Sequence, residues 1–368
     1  MSAARGAPTD AGRLVVAGAG PAGVAAAVCA RRLGLQVALV SPPTAAAPSC
    51  PEWIGPAGVA LCEEIGLDCQ RAGGVGFRGL RLFSWDLRKS AKIDGDDFAG
   101  WIVDAGKFRA ALRAVARDVG AEAIDGMPTS VALLEDRVEV TLGESQSVRG
   151  DVLLIADGFP SRTSRLAGMA ATLKPGTAPV CRHAEFSDRS AAGVDVMVGV
   201  SRAGQLVTIT RDGRQGRITL LTREPDPPPA QQFAEFCQAA LRAELIPSAG
   251  LESRERESPA GAALDLETHV GKRCLLIGAA GGFVAAFSNE GVYTSMRSGW
   301  IAAETVARAL SAPVLQDALA DFGVDWRGAL ADYLRMPNTD LSLLMPLAFN
   351  NEQMSRRVAR AFLLGVAF

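Results

Sequence analysis

A glycine-rich turn near the start of the chain joins two apolar runs through a stretch of small residues. The first run is RLVVA at 13–17, the turn is GAGPAG at 18–23, and the second run is LQVALV at 35–40. The small residues at 21–33 favour a closely packed helix, and Gly34 follows as a stop signal. These runs together have the length that a strand–helix–strand crossover needs, so the sequence predicts a parallel βαβ unit.

Each glycine of this turn has its own physical task. Gly18 permits the tight turn, Gly20 lets the backbone approach a pyrophosphate, and Gly23 lets helix and strand pack closely. The helix that begins with Pro21 and Ala22 directs unpaired N–H groups and its positive dipole end at the same place. These five residues are therefore predicted to bind a dinucleotide, because the motif lies within a βαβ unit.

Two further strand-to-turn motifs lie far along the chain. In IADGFPS at 155–161, Asp157 and Gly158 follow an apolar strand. The other motif begins with the strand LLI at 275–277 and leads through a glycine-rich stretch to a helix expected to start near Asn289. Glycine backbone in that stretch would lie flat against a ring or a phosphate. The predicted binding residues of this third motif are Gly278, Ala279, Gly282, Asn289 and Gly291.

The middle of the chain has a different pattern. Residues 179–222 contain alternating runs separated by Gly and Asp, which predicts an antiparallel sheet in a layer of its own. His183 and Glu185 alternate within the first run, so they share one strand face, which either lines a pocket or meets solvent. A Pro-rich linker follows at 224–229, and helical patterns fill most of the chain beyond 311.

Composition excludes several partners and sites. The 38 Lys and Arg against 40 Asp and Glu form no basic patch, so no nucleic acid partner is expected. The seven cysteines form no C-x-x-C pair and there are two histidines, so no metal site is expected. No apolar run reaches the roughly 18 residues of a transmembrane helix, and the first residues lack an apolar signal core. A cytoplasmic protein with reduced, buried thiols is expected.

The three glycine motifs, in this order and at these separations, resemble the para-hydroxybenzoate-hydroxylase-like flavoprotein superfamily. The third is most similar to the geranylgeranyl reductase branch, whose pattern is roughly L-L-V-G-D-A-A-G-F-V-N-P-F-T-G-E-G-I-Y-Y-A-M-R-S-G. The resemblance covers residues 13 to about 310. It implies an α/β fold with a Rossmann-like, GR2-type FAD-binding domain, an interleaved substrate domain with a mixed or antiparallel sheet, and a C-terminal helical segment. It also implies FAD as cofactor and NAD(P)H as co-substrate.

The resemblance implies an FAD-binding domain and a substrate domain that are each made of separate segments of the chain. Residues 1–72, 98–170 and 258–310 would form the FAD-binding domain, 73–97 and 171–257 the substrate domain, and 311–368 a C-terminal helical region. The expected partner is a small-molecule substrate or one bound to a carrier or peptide. A homodimer is among the assemblies open to such a protein.

Three positions depart from the family pattern. Ser41 ends the second strand, where the family usually has an acidic residue that holds the adenosine ribose. Ala279 replaces the Asp that usually holds the ribityl chain, and Ala105 replaces an arginine. A hydrogen bond to a charged group contributes about 1.5–3 kcal/mol, so losing two weakens FAD binding roughly 10²–10⁴-fold. Two hypotheses therefore stay open: an FAD-dependent enzyme, or a non-catalytic partner of the same fold that binds flavin weakly.

The substrate motifs of two flavoprotein groups are missing. The prenyl reductases carry roughly Y-x-W-x-F-P in the substrate sheet, whereas this chain has GQLVTIT at 204–210. The W-x-W-x-I-P motif of flavin halogenases is also absent. Flavin supplies the chemistry in such enzymes, so few catalytic side chains are needed. The predicted function is thus an FAD-dependent reductase or monooxygenase of a small or carrier- or peptide-bound substrate.

The segment 49–56 (SCPEWIGP) is the predicted catalytic loop. Glu52 is the expected general acid or base, provided that burial raises its pKa. Trp53 is expected to stack on a substrate ring, and Cys50 places a thiol beside both. The alternative interpretation is a surface loop that Trp53 anchors.

Overall fold

The computed structural model describes residues 12–43, 50–169, 178–199, 205–339 and 341–366. The strands are β1 (Arg13–Ala17), β2 (Gln36–Ser41), β3 (Pro51–Ile54), β4 (Val75–Phe83), β5 (Ser90–Asp104), β6 (Glu122–Asp125), β7 (Pro128–Leu133), β8 (Val138–Leu142), β9 (Gln146–Gly150), β10 (Val152–Ile155), β11 (Val180–Ser187), β12 (Gly193–Gly199), β13 (Gln205–Arg211), β14 (Gln215–Thr222), β15 (Arg254–Glu257), β16 (Val270–Gly271) and β17 (Cys274–Leu276). The helices are α1 (Pro21–Arg32), α2 (Pro56–Glu64), α3 (Ala105–Asp118), α4 (Arg162–Leu166), α5 (Pro229–Arg242), α6 (Val292–Ala309), α7 (Leu315–Ala320), α8 (Phe322–Leu334), α9 (Leu341–Ala348) and α10 (Glu352–Leu364).

A six-stranded sheet is built around the predicted βαβ unit, in the order β16-β17-β10-β1-β2-β6. Its neighbours are parallel except β16, which is antiparallel to β17. Val15 of β1 lies opposite Ala38 of β2 and Leu153 of β10, and all three side chains are fully buried. Strands covered on both faces explain the continuous apolar runs in the sequence. Gly34, with φ +84°, follows α1 as the predicted stop.

Helices cover one face of this sheet, and a small sheet covers the other. α1 packs so closely on α6 that a Cβ added at Gly299 would lie 2.1 Å from the carbonyl oxygen of Ala22. On the opposite face β7, β8 and β9 form a three-stranded antiparallel sheet, and Val138 and Val140 pack against Val15. The parallel sheet is therefore the central layer of three.

The second large sheet has eight strands in the order β15-β11-β14-β13-β12-β4-β5-β3. It is antiparallel except between β12 and β4, so it is mixed. On one face Val207 and Ile209 pack against Phe233 and Phe236 of α5. On the other face Leu206 belongs to a cluster that includes side chains of α9 and α10. The parallel sheet, the mixed sheet and the C-terminal helices α7–α10 match the fold class expected from the sequence.

Three local features differ from the sequence-based expectations. Residues 51–54 form strand β3 at the edge of the eight-stranded sheet rather than a loop, because an edge strand tolerates Pro51 as its first residue. β5 is continuous, so the expected boundary between 97 and 98 falls inside one strand. α6 begins at Val292 rather than near Asn289, because Asn289 has a left-handed backbone with φ +56°.

The expectations about buried cysteines and membrane-spanning helices can be compared with the structure. All seven cysteines are buried and unpaired, as expected for reduced thiols. None of the helices in the described ranges has the length and apolar character that crossing a bilayer requires. Residues 1–11, and Ser49 and Gly204 of the two predicted motifs, lie outside the described residues. The division of the chain into domains stays a prediction.

Candidate active site

A cavity of about 620 Å³ lies at the carboxyl-terminal ends of β1, β2 and β10. Residues at or just after the ends of these strands line it, including Gly18, Ser41 and Asp157. Ligand and cofactor cavities typically measure about 300–1,000 Å³, and doubly wound sheets bind ligands at this end of their strands. Position and size together make it the candidate cofactor site.

The cavity gathers most of the residues predicted to bind a cofactor. Those lining it are Gly18, Gly20, Pro21, Ala22, Ser41, Asp157, Gly158, Ala279, Asn289 and Gly291.

The other three predicted glycines are packed behind the cavity wall. A Cβ added at Gly23 would lie 1.8 Å from the carbonyl oxygen of Gly18. A Cβ added at Gly278 would lie 2.6 Å from Ala22 Cβ, and one added at Gly282 would lie 2.5 Å from the backbone nitrogen of Ala263. These three therefore permit close packing, while their neighbours form the surface of the site.

The N-terminus of α1 faces this cavity without a cap. Gly20 is the N-cap residue, no side chain in the described part of the chain bonds to the first turn, and that turn has no acidic residue. A Cβ added at Gly20 meets no atom within 4 Å. Unpaired N–H groups and the positive end of the helix dipole thus meet open space, which is the arrangement that binds an anion such as a pyrophosphate.

Two polar residues of the wall are held by their own neighbours. Asp157 Oδ1 accepts a hydrogen bond from Ser161 Oγ at 2.5 Å, and Oδ2 accepts one from Thr163 N at 2.8 Å, which fixes the start of α4. Asn289 Oδ1 accepts a hydrogen bond from Ser258 Oγ at 2.8 Å. Both side chains therefore shape the wall in fixed orientations.

A carboxylate lies beside Ser41, which stands where the family pattern has an acidic residue. Asp125 of β6 lies directly opposite Ser41 of β2 in register. Both line an adjoining cavity of about 220 Å³, together with Arg113 and Arg117 of α3, and Ser41 and Arg113 also line the large cavity. Asp125 is not among the residues predicted from the sequence, although the short run 122–125 directly after a predicted helix is a signal for a further parallel strand.

A small cavity of about 80 Å³ lies against the eight-stranded sheet. β13 and β14 form one wall, and β3 contributes Pro51, Glu52 and Trp53. Glu52, Arg256 and Asn289 line both this cavity and the large one. The predicted acid–base residue Glu52 therefore lies where the candidate cofactor site meets a second binding space.

The two other predicted catalytic residues are placed differently. The Trp53 ring stacks on Phe362 of α10, with 5.2 Å between ring centroids and 25° between planes, so one of its faces is covered by the chain itself. Cys50 lines neither of these cavities, and its Sγ accepts a hydrogen bond from Arg217 Nη1 at 3.4 Å. Burial raises the pKa of the Cys50 thiol, so it stays protonated.

His183 and Glu185 lie next to Arg217 rather than facing solvent freely. His183 Nε2 is 3.8 Å from Glu185 Oε1, and only 12% of the His183 side chain is exposed. Burial, followed by the charges of Arg217 and two other arginines, lowers the pKa of His183 to about 4. The imidazole is therefore neutral at neutral pH.

Glu290 is a buried acid that sequence analysis did not single out. Its Oε1 accepts a hydrogen bond from Tyr293 N at 2.7 Å, while Oε2 has no hydrogen-bond partner among the described residues. Burial raises the pKa of Glu290 to about 7. This carboxyl lies directly before α6, between Asn289 and Gly291 of the cavity wall.

The two sheets and the two cavities together define a class of protein fold. A largely parallel sheet presents an uncapped helix N-terminus to a cavity of about 620 Å³, and a mixed sheet forms the wall of an adjoining cavity. This is the fold of the FAD-dependent oxidoreductases of the para-hydroxybenzoate-hydroxylase type, so the fold class predicted from the sequence is confirmed.

Known proteins place the chain near particular enzymes of that class. No protein-family model matches the chain. Digeranylgeranylglycerophospholipid reductase 1 of Methanococcoides burtonii is 24% identical over 352 residues, which cover 87% of this chain and 80% of that protein. Menaquinone reductase of Mycobacterium tuberculosis is 33% identical over 168 residues, which cover 43% of this chain and 40% of that protein.

Solved structures agree on the fold. A flavin-dependent brominase superposes with a TM-score of 0.75 at 18% identity, over 96% of this chain and 94% of that one. A geranylgeranyl bacteriochlorophyll reductase-like protein of Thermoplasma acidophilum gives a TM-score of 0.71 at 15% identity, over 96% of both chains. These structures share the fold, and the curated relatives that match most of the chain are geranylgeranyl-type reductases.

Proposed function

We propose that this protein reduces a small organic substrate, or the end of a carrier- or peptide-bound one, with NAD(P)H as electron donor and FAD as cofactor. The supporting observation is that Glu52, Arg256 and Asn289 line both cavities, so cofactor and substrate would meet at one carboxyl group. The curated relatives are reductases, which favours reduction over oxygen insertion.

The residues present fit FAD. The first turn of α1 would hold the pyrophosphate, since Gly20 leaves the approach open. The family usually has an acidic residue at the position of Ser41 to hold the adenosine ribose. Asp125 would take that role here, because Asp125 and Ser41 line the same adjoining cavity. Ala279 and Gly291 would border the rest of the cofactor. When bound, FAD supplies the hydride chemistry that no side chain can.

The chain itself would contribute positioning and a proton. Two-electron reduction of a double bond needs a hydride equivalent, which NAD(P)H provides, and one proton, which the Glu52 carboxyl would donate at the junction of the cavities. Trp53, braced by Phe362, would close one side of the small cavity and exclude water.

The test begins with cofactor and donor. The purified protein should bind FAD, and NADH or NADPH should reduce the bound flavin under anaerobic conditions. Substrates are then screened by product mass with and without oxygen. A product that carries an oxygen atom from O₂ would replace reduction by monooxygenation. Failure to bind FAD at any concentration would favour the non-catalytic partner.

A matched pair of variants tests the proton donor. Glu52→Gln should lower turnover while flavin content and flavin reduction by NAD(P)H stay unchanged, because only the proton step is removed. Glu63→Gln is the control, since Glu63 is exposed on nearby α2 and lines neither of these cavities. Equal turnover in both variants would exclude Glu52 from the mechanism.

A further inference from the structure

A buried carboxyl group lies where helix α6 meets the candidate cofactor site. Glu290 comes directly before Gly291, the N-cap residue of α6, and is 3% exposed. Gly291, Val292 and Ser295, from the start of the same helix, line the large cavity. Glu290 is therefore buried directly next to the part of the cavity wall that α6 forms.

The protein satisfies only part of this carboxyl group. Oε1 accepts a hydrogen bond from Tyr293 N at 2.7 Å, whereas Oε2 is buried without a hydrogen-bond partner among the described residues. A buried carboxylate oxygen without a hydrogen bond is unfavourable, and protonation removes the charge. Burial raises the pKa of Glu290 to about 7, although backbone N–H groups in the first turn of α6 act to lower it. The carboxylate and the acid are therefore both populated near neutral pH.

Titratable side chains from four elements lie near Glu290. Burial raises the pKa values of Tyr293 in α6 and Tyr333 in α8. A hydrogen bond to a second thiol, followed by burial, raises the pKa of Cys62 in α2. These three groups therefore stay neutral around pH 7. Glu52 of β3 is the acidic neighbour, and its negative charge raises the pKa of Glu290 further.

The protonation of Glu290 decides the sign of the charge at the start of α6. A helix N-terminus is equivalent to about +0.5 of an elementary charge, so the end of α6 together with Glu290 carries about −0.5 when the carboxyl is ionised and about +0.5 when it is protonated. A hydride brings two electrons and one proton to FAD, which adds one negative charge. Beside an ionised Glu290, that charge would share the cavity wall with a buried like charge, and like charges favour protonation of an acid.

We infer that Glu290 takes up one proton when the bound cofactor is reduced and releases it when the cofactor is reoxidised. NAD(P)H gives up the hydride and becomes NAD(P)⁺, while a proton from solvent converts the Glu290 carboxylate into the carboxylic acid. The net charge of the site then stays constant. Glu290 acts through the cofactor without touching the substrate, so it is a positioning residue. The inference rests on the proposed function, because it requires bound FAD.

The experiment measures the reduction potential of the FAD-loaded protein against pH. The flavin is reduced with dithionite beside reference dyes, without NAD(P)H or substrate, over about two pH units on either side of 7. Each additional proton taken up lowers the equilibrium constant for reduction about tenfold per pH unit, which is about 30 mV for a two-electron couple. Below pH 7 Glu290 is protonated in both states, so the additional slope should appear only above pH 7.

Variants assign the additional slope to Glu290. Glu290→Gln should remove it, because the amide keeps the shape but does not titrate; its potential should match wild type below pH 7 and exceed it above. Glu304→Gln is the matched control, since Glu304 lies in the same helix about 18 Å from Val292 along the axis and lines neither of the two cavities. Glu52→Gln should keep the additional slope but move its onset to lower pH, because it removes a charge that raises the pKa of Glu290.

A second measurement is made on wild type itself. The infrared difference between reduced and oxidised protein above pH 7 should show the carbonyl band of a carboxylic acid appearing on reduction. That band should be missing in Glu290→Gln and present in Glu304→Gln. FAD content and urea unfolding are measured for every variant, so that loss of the fold is recognised.

The outcomes separate this inference from the proposed reductase activity. If wild type and Glu290→Gln have the same pH dependence, or if wild type shows no acid band on reduction, the inference is refuted even when NAD(P)H reduces the flavin and a substrate is turned over. If the additional slope depends on Glu290 but no NAD(P)H-dependent reduction is found, the proton uptake stands and the proposed reaction fails. A protein that binds no FAD would overturn both.

Discussion

Substituting two glycines of the first turn separates binding from folding. Gly20 has φ −83° and ψ −173°, an extended backbone that any residue adopts, and its added Cβ meets no atom within 4 Å. Gly20→Ala should therefore leave the apoprotein as stable as wild type, within about 1 kcal/mol. The methyl group would stand where a pyrophosphate approaches α1. Losing one charge-assisted hydrogen bond costs about 1.5–3 kcal/mol, so the Kd for FAD should rise roughly 10–150-fold.

Gly23→Ala, in contrast, should lower the stability of the apoprotein. Its Cβ would lie 1.8 Å from Gly18 O and 3.2 Å from Val16 Cγ1, so helix α1 must move away from β1. Overpacking of this kind typically costs about 1–3 kcal/mol, and this contact is with backbone, which yields less than a flexible side chain. The apoprotein should therefore unfold at lower urea concentration than wild type.

The assay pairs two measurements on each apoprotein. Urea unfolding gives the stability, and titration with FAD, followed by flavin fluorescence, gives the Kd. The reasoning is refuted if Gly20→Ala binds FAD as tightly as wild type, or if it is destabilised as much as Gly23→Ala. The first result would mean that the first turn of α1 does not face the cofactor, and the second that the space beside Gly20 is not open.

Three further predictions concern residues in or beside the candidate cofactor site. Ala279→Asp should tighten FAD by up to about 1.5–3 kcal/mol, because it adds a carboxylate to the lining; the Kd from titration checks this. Asp125→Asn should weaken FAD binding by a similar amount, whereas Asp118→Asn, on the exposed side of α3, should leave the Kd unchanged. Glu290 has its pKa raised from 4.5 to about 7, so the folded state holds the proton more strongly than the unfolded chain does. The contribution of Glu290 to stability should be fully present below pH 4.5 and should be lost, by about 3 kcal/mol in all, as the pH rises through 7; Glu290→Gln should flatten that loss in urea unfolding of the apoprotein.

Local signals made much of the fold predictable. The turn at 18–23 lies between a strand and a helix that are adjacent in sequence, so spacing and glycine positions were sufficient to predict the βαβ unit. The motifs around Asp157 and Ala279 were also recognisable, because each follows an apolar strand directly. That these turns meet at one cavity followed from the common direction of parallel strands.

Features that depend on distant pairing were not predictable in this way. Residues 51–54 form a strand only because β5 pairs with them, and a segment that begins with proline resembles a loop when considered alone. Asp125 gained its position from the register between β6 and β2. Arg217 is one of many arginines in the sequence, and its position beside Cys50 and Glu185 is visible only in the folded protein.

The contact between Trp53 and Phe362 also has a consequence for synthesis on the ribosome. Strand β3 is translated long before α10, the helix that braces it. At about 5–20 residues per second, the indole waits roughly 15–60 s for its stacking partner. The nascent chain therefore carries one side of the small cavity unsupported until α10 has been translated. A chain halted before α10 would retain its dinucleotide turn but lack the brace of Trp53, so the small cavity is completed after the turn that faces the large one.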